Sequence, residues 1–416
     1  MRLLLKNARF IDGSSSSKVD FNDVLVRDGI IESLHGGDGD IEIDLNGKIL
    51  TPGWFDLNAN FNDPGQEDKE DVFTGSNVAS FGGFTDVNLS PSTVPIIESK
   101  SHVSYLLKKA IDSVDIHVTA ALSEGTSGEN ITEILDLHSA GALSFSEGDK
   151  TIWNTELMIR ALQYTSNISV PIIQCANDRD LSFNTHMHEG FKSTELGLRG
   201  EPSLSEELII KRDLDLLKYS GGKLHFSAIS SAKSVDLIRK AKMENLDVTC
   251  DVSIHHLLFT DSNVSDFNTI FKVKPPYRLD SDRKALIAGV KEGVVDAICS
   301  LHRPQDQESK QLEFDLAEFG NISLQTFYPS LLSIAKEIPF EILLDKVTNG
   351  PRKILGLEEL KLEVGKPAKM TILDPEAEWT LNSTTNLSKS ENSPFWNKRL
   401  KGKVFGTVNL NTHLIH

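Results

Sequence analysis

The stretch TPGWFDLNANFNDPG, residues 51–65, begins the part of the chain that determines its fold. It joins an apolar run, which predicts a buried strand, to a polar segment that contains Pro64 and Gly65. Asn58 and Asn60 stand one residue apart at the end of this strand, so their side chains point to the same side. A buried strand followed by a polar turn is the first half of a strand-helix unit.

Further units of this kind follow, and apolar runs alternate with amphipathic stretches as far as residue 301. Nearly continuous apolar strands predict a parallel sheet covered on both faces, and eight such strands can close into a barrel. We therefore predict an α/β fold, a TIM-type (β/α)8 barrel over residues 51–357. The predicted strands are WFDLNAN, FTDVNLS, DIHVTAAL, ALSFSE, VPIIQCA, KLHFSAI, DVTCDVS and VDAICSL. The predicted helices lie around 67–80, 96–112, 129–139, 154–166, 204–219, 231–244, 281–291, 323–336 and 339–347.

The two ends of the chain have a different pattern. Residues 1–50 and 358–416 alternate apolar and polar positions between Gly, Asp and Asn, which is typical of antiparallel strands. We predict that they pair into one composite β-sandwich domain. The polar runs GSSSS at 13–17 and TLNSTTNLSKSENS at 380–393 predict surface loops. Ser203 and Glu206 have the spacing of a capping box at a helix start.

Composition narrows the function classes. The chain has 416 residues with 43 basic and 60 acidic side chains, a formal charge of −17, and no basic run, so nucleic acid is not an expected partner. No long apolar run predicts a membrane span and no apolar leader is visible, so we expect a cytoplasmic protein without a membrane partner. The three cysteines, Cys175, Cys250 and Cys299, lie far apart and are expected to be reduced.

The segment at 51–65 resembles the metal-binding signature PGxxDxHxHxREPG of cyclic amidohydrolases such as dihydroorotase. The resemblance continues through nearly the whole chain and in the right order. It is carried by FGGFTDVNLSPSTVP, GALSFSEGD, GLRGEPSLSEELIIKRDLDLL, KLHFSAISSAKSVDLIRKAK, VTCDVSIHHLLFTD, FKVKPPYRLDSDRKAL and VDAICSLHRPQ. It implies the barrel with a β-sandwich, a zinc-dependent hydrolysis of a cyclic amide C–N bond, and a homodimer.

The chain departs from this family where the metal is bound. The resemblance aligns the four histidine ligands with Asn58, Asn60, Cys175 and Ala228, and the catalytic Asp of the family run DHAPH with Leu301 of LHRPQ. A carboxamide is a poor zinc ligand, and alanine and leucine offer no donor atom. We therefore expect no bound metal or other cofactor and no hydrolysis of the family type.

The positions that contact substrate in the family differ as well. The carboxylate-binding Arg aligns with Asn62, and three further substrate contacts align with Ser92, Lys274 and Gln305. Loss of a bidentate guanidinium removes the strongest recognition of a carboxylated ring. Recognition and catalysis are therefore both expected to be lost.

Other side chains near the strand ends are candidates for a rebuilt site. Cys175 with His302 and an acidic residue has suitable donors for zinc, although a buried thiol is the simpler interpretation. The remaining candidates are His255, His256, Glu147 and Asp149 near strand ends and His186 and His188 in a loop, all with simpler structural or solvated interpretations. Lys272, Lys274 and Arg303 suggest a pocket attractive to an anion.

Three functions remain open at this point. The first is a catalytically silent dihydroorotase homologue that serves as a structural or regulatory partner of aspartate transcarbamoylase, the partner that the resemblance implies. The second is an active dihydroorotase or related cyclic amidohydrolase with a rebuilt metal site. The third is a filament-type structural protein, comparable to dihydropyrimidinase-related proteins.

Overall fold

A computed structural model describes residues 2–11 and 21–416, so the predicted loop GSSSS lies outside the described residues. Five strands precede the barrel: β1 (Arg2–Phe10), β2 (Phe21–Arg27), β3 (Ile30–Ser33), β4 (Ile41–Asp44) and β5 (Ile49–Pro52). Only Gly53 separates β5 from the first barrel strand, and a Cβ atom there would lie 2.2 Å from Thr85 Oγ1. The passage from one domain to the other therefore requires glycine.

The strands and helices of the barrel follow in alternation. They are β6 (Trp54–Ala59), α1 (Val72–Phe81), β7 (Phe84–Leu89), α2 (Lys100–Lys109), β8 (Asp115–Ala121), α3 (Ile134–Ser139), β9 (Ala142–Ser146), α4 (Thr155–Ser166), β10 (Ile172–Cys175), β11 (Met187–His188), α5 (Phe191–Leu196), β12 (Gly200–Glu201), α6 (Leu204–Ser220), β13 (Leu224–Ser227), α7 (Ala232–Met243), β14 (Val248–Ser253), α8 (Asp280–Lys291), β15 (Ala297–Cys299), α9 (Gln307–Lys310), α10 (Phe327–Ile334), α11 (Phe340–Val347) and α12 (Asn349–Ile354). Short 3₁₀ turns connect several of them.

Eight parallel strands form the barrel in the order β6-β7-β8-β9-β10-β13-β14-β15. A parallel bridge between Ala59 and His302 closes the last strand onto the first. The small pair β11 and β12 lies outside this sheet, in the long loop before α6. The predicted TIM-type barrel is confirmed. The predicted helix at 129–139 is shorter than expected, because residues 129–133 form a bridge and a turn before α3.

A second sheet joins the two ends of the chain. The C-terminal strands β16 (Lys369–Thr380), β17 (Arg399–Asn409) and β18 (Thr412–Ile415) extend it in the order β18-β17-β16-β5-β1-β2-β3. β5 pairs with β16 in antiparallel register, so the composite β-domain is confirmed as part of the fold. The pairing is mixed rather than purely antiparallel, because β1 runs parallel to both β4 and β5. The boundaries 1–50, 51–357 and 358–416 stay a prediction.

The prediction of a surface loop at 380–393 is correct only in part, because residues 383–385, 389 and 391 are exposed whereas five other residues of the segment are buried. Leu381 is fully buried, and Ser388, Ser390 and Asn392 are buried as well. Asn392 Nδ2 donates to the carbonyl oxygens of Arg303 and Gly320, at 3.1 Å each. The segment therefore lies against the loops at the end of the barrel. Its polar side chains replace water as partners of buried carbonyl groups, which a pattern of polarity cannot distinguish from solvation.

The predicted capping box is wrong too. Ser203 has helical backbone angles and makes no side-chain cap. Glu206 instead turns into the protein and accepts hydrogen bonds from the backbone N–H groups of Ser230 and Ser231, at 3.0 and 3.1 Å. It also accepts from the hydroxyls of Ser230 and Ser234. Glu206 therefore holds the loop after β13 rather than its own helix.

A buried carboxylate, Asp86 on β7, connects the barrel to the second sheet. Its oxygens lie 2.5 Å from Arg352 Nη2 on α12, 2.8 Å from Lys369 Nζ on β16 and 3.0 Å from His117 Nε2 on β8. Burial opposes the charge of Asp86, but the hydrogen bond from His117 and the charges of Lys369 and Arg352 hold its pKa well below the usual range. Asp86 is therefore charged and shared by both domains.

We expect Asp86→Asn to destabilise the protein by about 3–5 kcal/mol, because it leaves buried cations without their counter-charge. The measurement is the urea midpoint of unfolding, with Glu376→Gln as control, because Glu376 pairs with Lys401 on the surface and is worth about 0–1 kcal/mol. Adding Lys369→Met to Asp86→Asn should recover part of the loss.

The lowered pKa of Asp86 determines how the stability of the protein depends on pH. Because folding lowers the pKa of Asp86, its contribution is present above the unfolded pKa of about 3.9 and is lost as the pH falls below it. The wild type should lose this part of its stability below about pH 4, and Asp86→Asn should not. Equal urea midpoints for the variant and the wild type at neutral pH would contradict the role given to Asp86.

Candidate functional site

A cavity of about 390 Å³ opens at the C-terminal ends of the barrel strands, where functional residues of such barrels lie. All nine positions that the sequence singled out line this cavity, which we call the barrel mouth. They are Asn58, Asn60, Asn62, Ser92, Cys175, Ala228, Lys274, Leu301 and Gln305. The structure therefore brings together residues that are spread over about 250 positions of the sequence.

The two asparagines at the end of β6 are fully engaged with the protein. Asn58 donates from Nδ2 to Ser227 Oγ at 2.9 Å, and its Oδ1 accepts from Arg303 Nη2 at 2.8 Å. Asn60 donates from Nδ2 to the carbonyl of Ser92 at 3.0 Å and accepts at Oδ1 from the N–H of Asn62 at 2.9 Å. Each carboxamide oxygen thus already accepts a hydrogen bond from the protein, and carboxamides are poor zinc ligands.

Of the other three positions aligned with the family's metal site, only Cys175 has a donor atom for zinc. Burial raises the pKa of the Cys175 thiol to about 11, although Lys274 and Arg303 favour the thiolate. Ala228 and Leu301 have left-handed backbone angles, with φ of 53° and 51°. Residues other than Gly and Asn rarely adopt this conformation. The backbone therefore adopts an uncommon conformation just after β13 and just after β15. The side chains at these two positions contain only carbon and hydrogen, so they cannot bind a metal.

The residues present do not fit a zinc ion. In residues 2–11 and 21–416 there is no group of three or more His, Cys, Asp or Glu side chains that could hold a metal. Zinc sites need at least three such donors. The obstacle is the donor set itself, since two of the five positions are weakly binding amides, two are hydrocarbon side chains and only Cys175 is a good zinc donor.

The histidines that the sequence offered for a rebuilt site have structural partners and do not line the mouth. His256 lies 2.7 Å from Ser253 Oγ and 3.0 Å from the carbonyl of Pro275, and His255 lies 3.0 Å from Asn321 Oδ1. Burial lowers their pKa values, to about 3 for His255 and about 4 for His256. His302 accepts from the N–H of Ser323 at 3.1 Å.

The loop pair His186 and His188 is also outside the mouth. His188 lies 3.2 Å from Arg278 Nη1, and burial together with this guanidinium lowers its pKa to about 4. His186 lines a separate, neighbouring cavity. The spacing H-x-H therefore does not create a second site here.

The two acidic candidates have different surroundings. Glu147 is buried and accepts from Ser123 N–H and Oγ, at 2.8 and 2.7 Å, while burial raises its pKa. Asp149 is half exposed and lies 2.9 Å from Arg303 Nη2. Glu147 therefore holds a neighbouring loop, and of these two acids only Asp149 lines the mouth.

The mouth contains a polar group that the sequence interpretation missed. Asp251 on β14 lines the cavity floor and accepts at Oδ1 from the N–H of Ala228 at 2.6 Å and at Oδ2 from Ser227 Oγ at 3.2 Å. Its Oδ2 lies 2.9 Å from His225 Nε2, and both side chains are fully buried. The available signal was a charged residue in the middle of the apolar strand DVTCDVS, next to KLHFSAI with its histidine.

The sequence suggested that Lys272, Lys274 and Arg303 attract an anion to the mouth. Only Lys274 and Arg303 line it. Lys272 is buried beside the neighbouring cavity, donates to the carbonyl of Asp315 at 3.0 Å and lies over the ring of Phe319. Arg303 is paired with Asp149. Lys274 is exposed and has neither ion pair nor hydrogen bond within the described part of the chain. A cluster of three free cations therefore does not exist.

Known proteins are similar to this chain in sequence, and others are similar to it in fold. A family model described as dihydro-orotase-like matches residues 47–234. The dihydroorotase of Geobacter sp. (strain M21) is 37% identical over 98% of this chain and 98% of its own, and that of Acetivibrio thermocellus is 36% identical over 98% and 97%. The structure of an L-hydantoinase (dihydropyrimidinase) from Arthrobacter aurescens has a TM-score of 0.87 at 22% identity, covering 100% of this chain and 96% of that one.

The solved structures therefore share the barrel with its β-sandwich, and the relatives define the family more closely. This chain belongs to the dihydroorotase family of cyclic amidohydrolases, as the resemblance of its strand-end motifs predicted. No helix within residues 2–11 and 21–416 is long and apolar enough to cross a membrane.

We expect the purified protein to retain no stoichiometric zinc after dialysis, because the mouth lacks the donors that would hold it. The measurement is metal analysis by mass spectrometry, with the Geobacter relative purified in parallel as reference. One tightly held zinc ion per chain that is lost when Asn58 and Cys175 are both replaced by alanine would contradict this expectation.

Proposed function

We propose that this chain is a catalytically silent dihydroorotase-like protein of pyrimidine biosynthesis, acting in the cytoplasm as a structural or regulatory partner of aspartate transcarbamoylase. One observation carries the first half of the proposal. Of the five positions aligned with the metal and the catalytic acid, two carry hydrocarbon side chains, two carry amides that are hydrogen-bonded within the protein, and only Cys175 offers a good zinc donor.

This arrangement removes the means of making a nucleophile. Hydrolysis of a cyclic amide at neutral pH requires an activated water, and in metal-dependent enzymes the ion lowers the pKa of that water from 15.7 to about 7. A general base must then accept its proton. Leu301 cannot act as one. Asp251 is a buried carboxylate that lines the mouth, and its oxygens accept hydrogen bonds from Ala228 and Ser227 and lie against His225.

The positions that align with the family's substrate contacts also lack the groups that would bind a carboxylated ring. Asn62 takes the place of the guanidinium that would bind a ring carboxylate, and its Nδ2 donates to the carbonyl of Pro304 at 3.2 Å. Gln305 accepts from Lys69 Nζ at 2.8 Å and donates to the carbonyl of Phe319 at 2.9 Å. These side chains stabilise loops around the mouth, so a carboxylated ring has no bidentate partner among them.

We expect no hydrolysis of dihydroorotate above the buffer rate, with or without added zinc, because nothing in the mouth activates water. The assay follows ring opening by absorbance, and the Geobacter relative serves as the positive control. Turnover at ordinary enzyme rates, roughly 1–10³ s⁻¹, would reject silence. It would favour the second candidate, an active cyclic amidohydrolase, which the 37% identity over nearly the whole chain supports.

The partner in this proposal comes from the family resemblance, and the intact barrel walls are what make a scaffold role physically reasonable. We expect the chain to co-elute with aspartate transcarbamoylase of the same organism in size-exclusion chromatography, as a complex larger than either protein. By itself we expect a homodimer in the same experiment. Separate elution at micromolar concentrations of both proteins would reject the partnership, and open-ended assemblies of this chain would support a filament-type protein.

A further inference from the structure

We propose that the Arg303 guanidinium is the resident cation of the barrel mouth, bridging the strand ends that a metal ion bridges in metal-dependent members of the family. This inference goes beyond the proposed function, because it concerns what organises and occupies the mouth. It requires neither the partner nor a substrate.

Arg303 reaches into the mouth from the loop after β15. Its Nη2 donates to Asn58 Oδ1 at 2.8 Å and to Asp149 Oδ1 at 2.9 Å, and its Nε donates to the same Asp149 oxygen at 3.2 Å. Its Nη1 donates to the carbonyl of His302 at 3.1 Å. The side chain is only 12% exposed. Four directed hydrogen bonds from one rigid fork fix its position across the mouth.

These contacts continue through the barrel as one connected network. Asn58, held by Arg303 at its oxygen, donates from its nitrogen to Ser227 Oγ, and Ser227 donates to Asp251. The network thus joins the loops after β15 and β9 to the ends of β6 and β13 and to β14. A metal ion in such a barrel draws its ligands from several strand ends. Here the guanidinium contacts one amide and one carboxylate directly, and it reaches a second carboxylate, Asp251, through Asn58 and Ser227.

The backbone of Arg303 is built to hold this side chain in place. Gly320 packs against it with φ of 123°, and a Cβ atom there would lie 2.6 Å from Arg303 Cβ and 2.8 Å from its carbonyl oxygen. Asn392 from the C-terminal segment donates to the same carbonyl at 3.1 Å. The N–H of Arg303 donates to the carbonyl of Asn321 at 2.9 Å. Two separate segments, residues 320–321 and Asn392, therefore fix the backbone from which the guanidinium extends.

The sequence change that brought the cation lies beside the one that removed the catalytic acid. Where the family resemblance gives DHAPH, this chain has LHRPQ, so Leu301 replaces Asp and Arg303 replaces Ala. An acid is lost and a base is gained two residues apart. Asp149 lines the mouth, and its ion pair is with Arg303. A divalent ion and the guanidinium would compete for the same negative groups and repel each other.

The first test is chemical rescue of the variant Arg303→Ala. The melting temperature of the purified protein is measured in the absence of substrate and partner. We expect a decrease of about 2–4 °C. Methylguanidinium chloride at low millimolar concentration should restore at least half of it, because the ion can refill the vacated position. Equal concentrations of sodium chloride or methylammonium chloride should not. The wild type should show no stabilisation by methylguanidinium, and Arg239→Ala is the matched control, since Arg239 forms two exposed ion pairs.

The second test asks whether Arg303 excludes a metal. The variant Asn58→His, Asn60→His, Cys175→His, Ala228→His and Leu301→Asp restores the aligned donors. Adding Arg303→Ala to it should increase zinc affinity at least tenfold in calorimetry, whereas adding Arg239→Ala should not.

Each arm has an outcome that overturns the proposal. Arg303→Ala that melts like the wild type, or whose loss is recovered equally by sodium chloride, overturns the bridging role. Equal zinc affinity with and without Arg303 overturns the exclusion of metal. If the fivefold variant does not fold, the rescue experiment decides by itself. Hydrolytic activity of the wild type would reject the proposed function and leave the melting experiment unaffected, so the two failures are distinguishable.

Discussion

The buried carboxylate of Asp86 is the constraint on which the two-domain architecture depends. It lies inside the barrel at the end opposite the mouth, where it contacts a barrel histidine, an arginine from α12 and a lysine from the second sheet. A charge in such a place is tolerated only when it is paired and hydrogen-bonded. Because its partners come from both domains, separating them would expose uncompensated charges on each side. The β-sandwich and the barrel are therefore joined electrostatically as well as through β5.

The mouth follows the same physical rule with different residues. Asp251 is fully buried and is satisfied by His225, Ser227 and the backbone of Ala228, while Asp149 is satisfied by Arg303. Each of these two acids thus has a partner from another strand or loop. At the strand ends the positive charge beside Asp149 comes from the guanidinium of Arg303.

The C-terminal segment illustrates why polarity alone was misleading. Ser388, Ser390 and Asn392 belong to a run that has every sequence feature of a solvated loop, yet all three are buried. They satisfy carbonyl groups and carboxylates of the barrel loops, for example Lys69 O by Ser390 Oγ at 2.8 Å. Glu206 is a similar case, since its spacing from Ser203 predicted a cap and its partners lie in another unit. A polar side chain has many possible partners, and only folding selects among them.

The amino-acid sequence determined the barrel, the joining of its two ends into one sheet, and the gathering of nine positions at one cavity. It could do so because these properties follow from the alternation of apolar and polar residues and from the rule that parallel strands end at one edge. Tertiary structure alone decided what fills the mouth. Arg303 contacts Asn58 across 245 residues and Asp149 across 154, and no local pattern encodes such a pairing. The difference arises because hydrophobic burial is periodic along the chain, whereas the pairing of buried charges depends on distances that exist only after the barrel has closed.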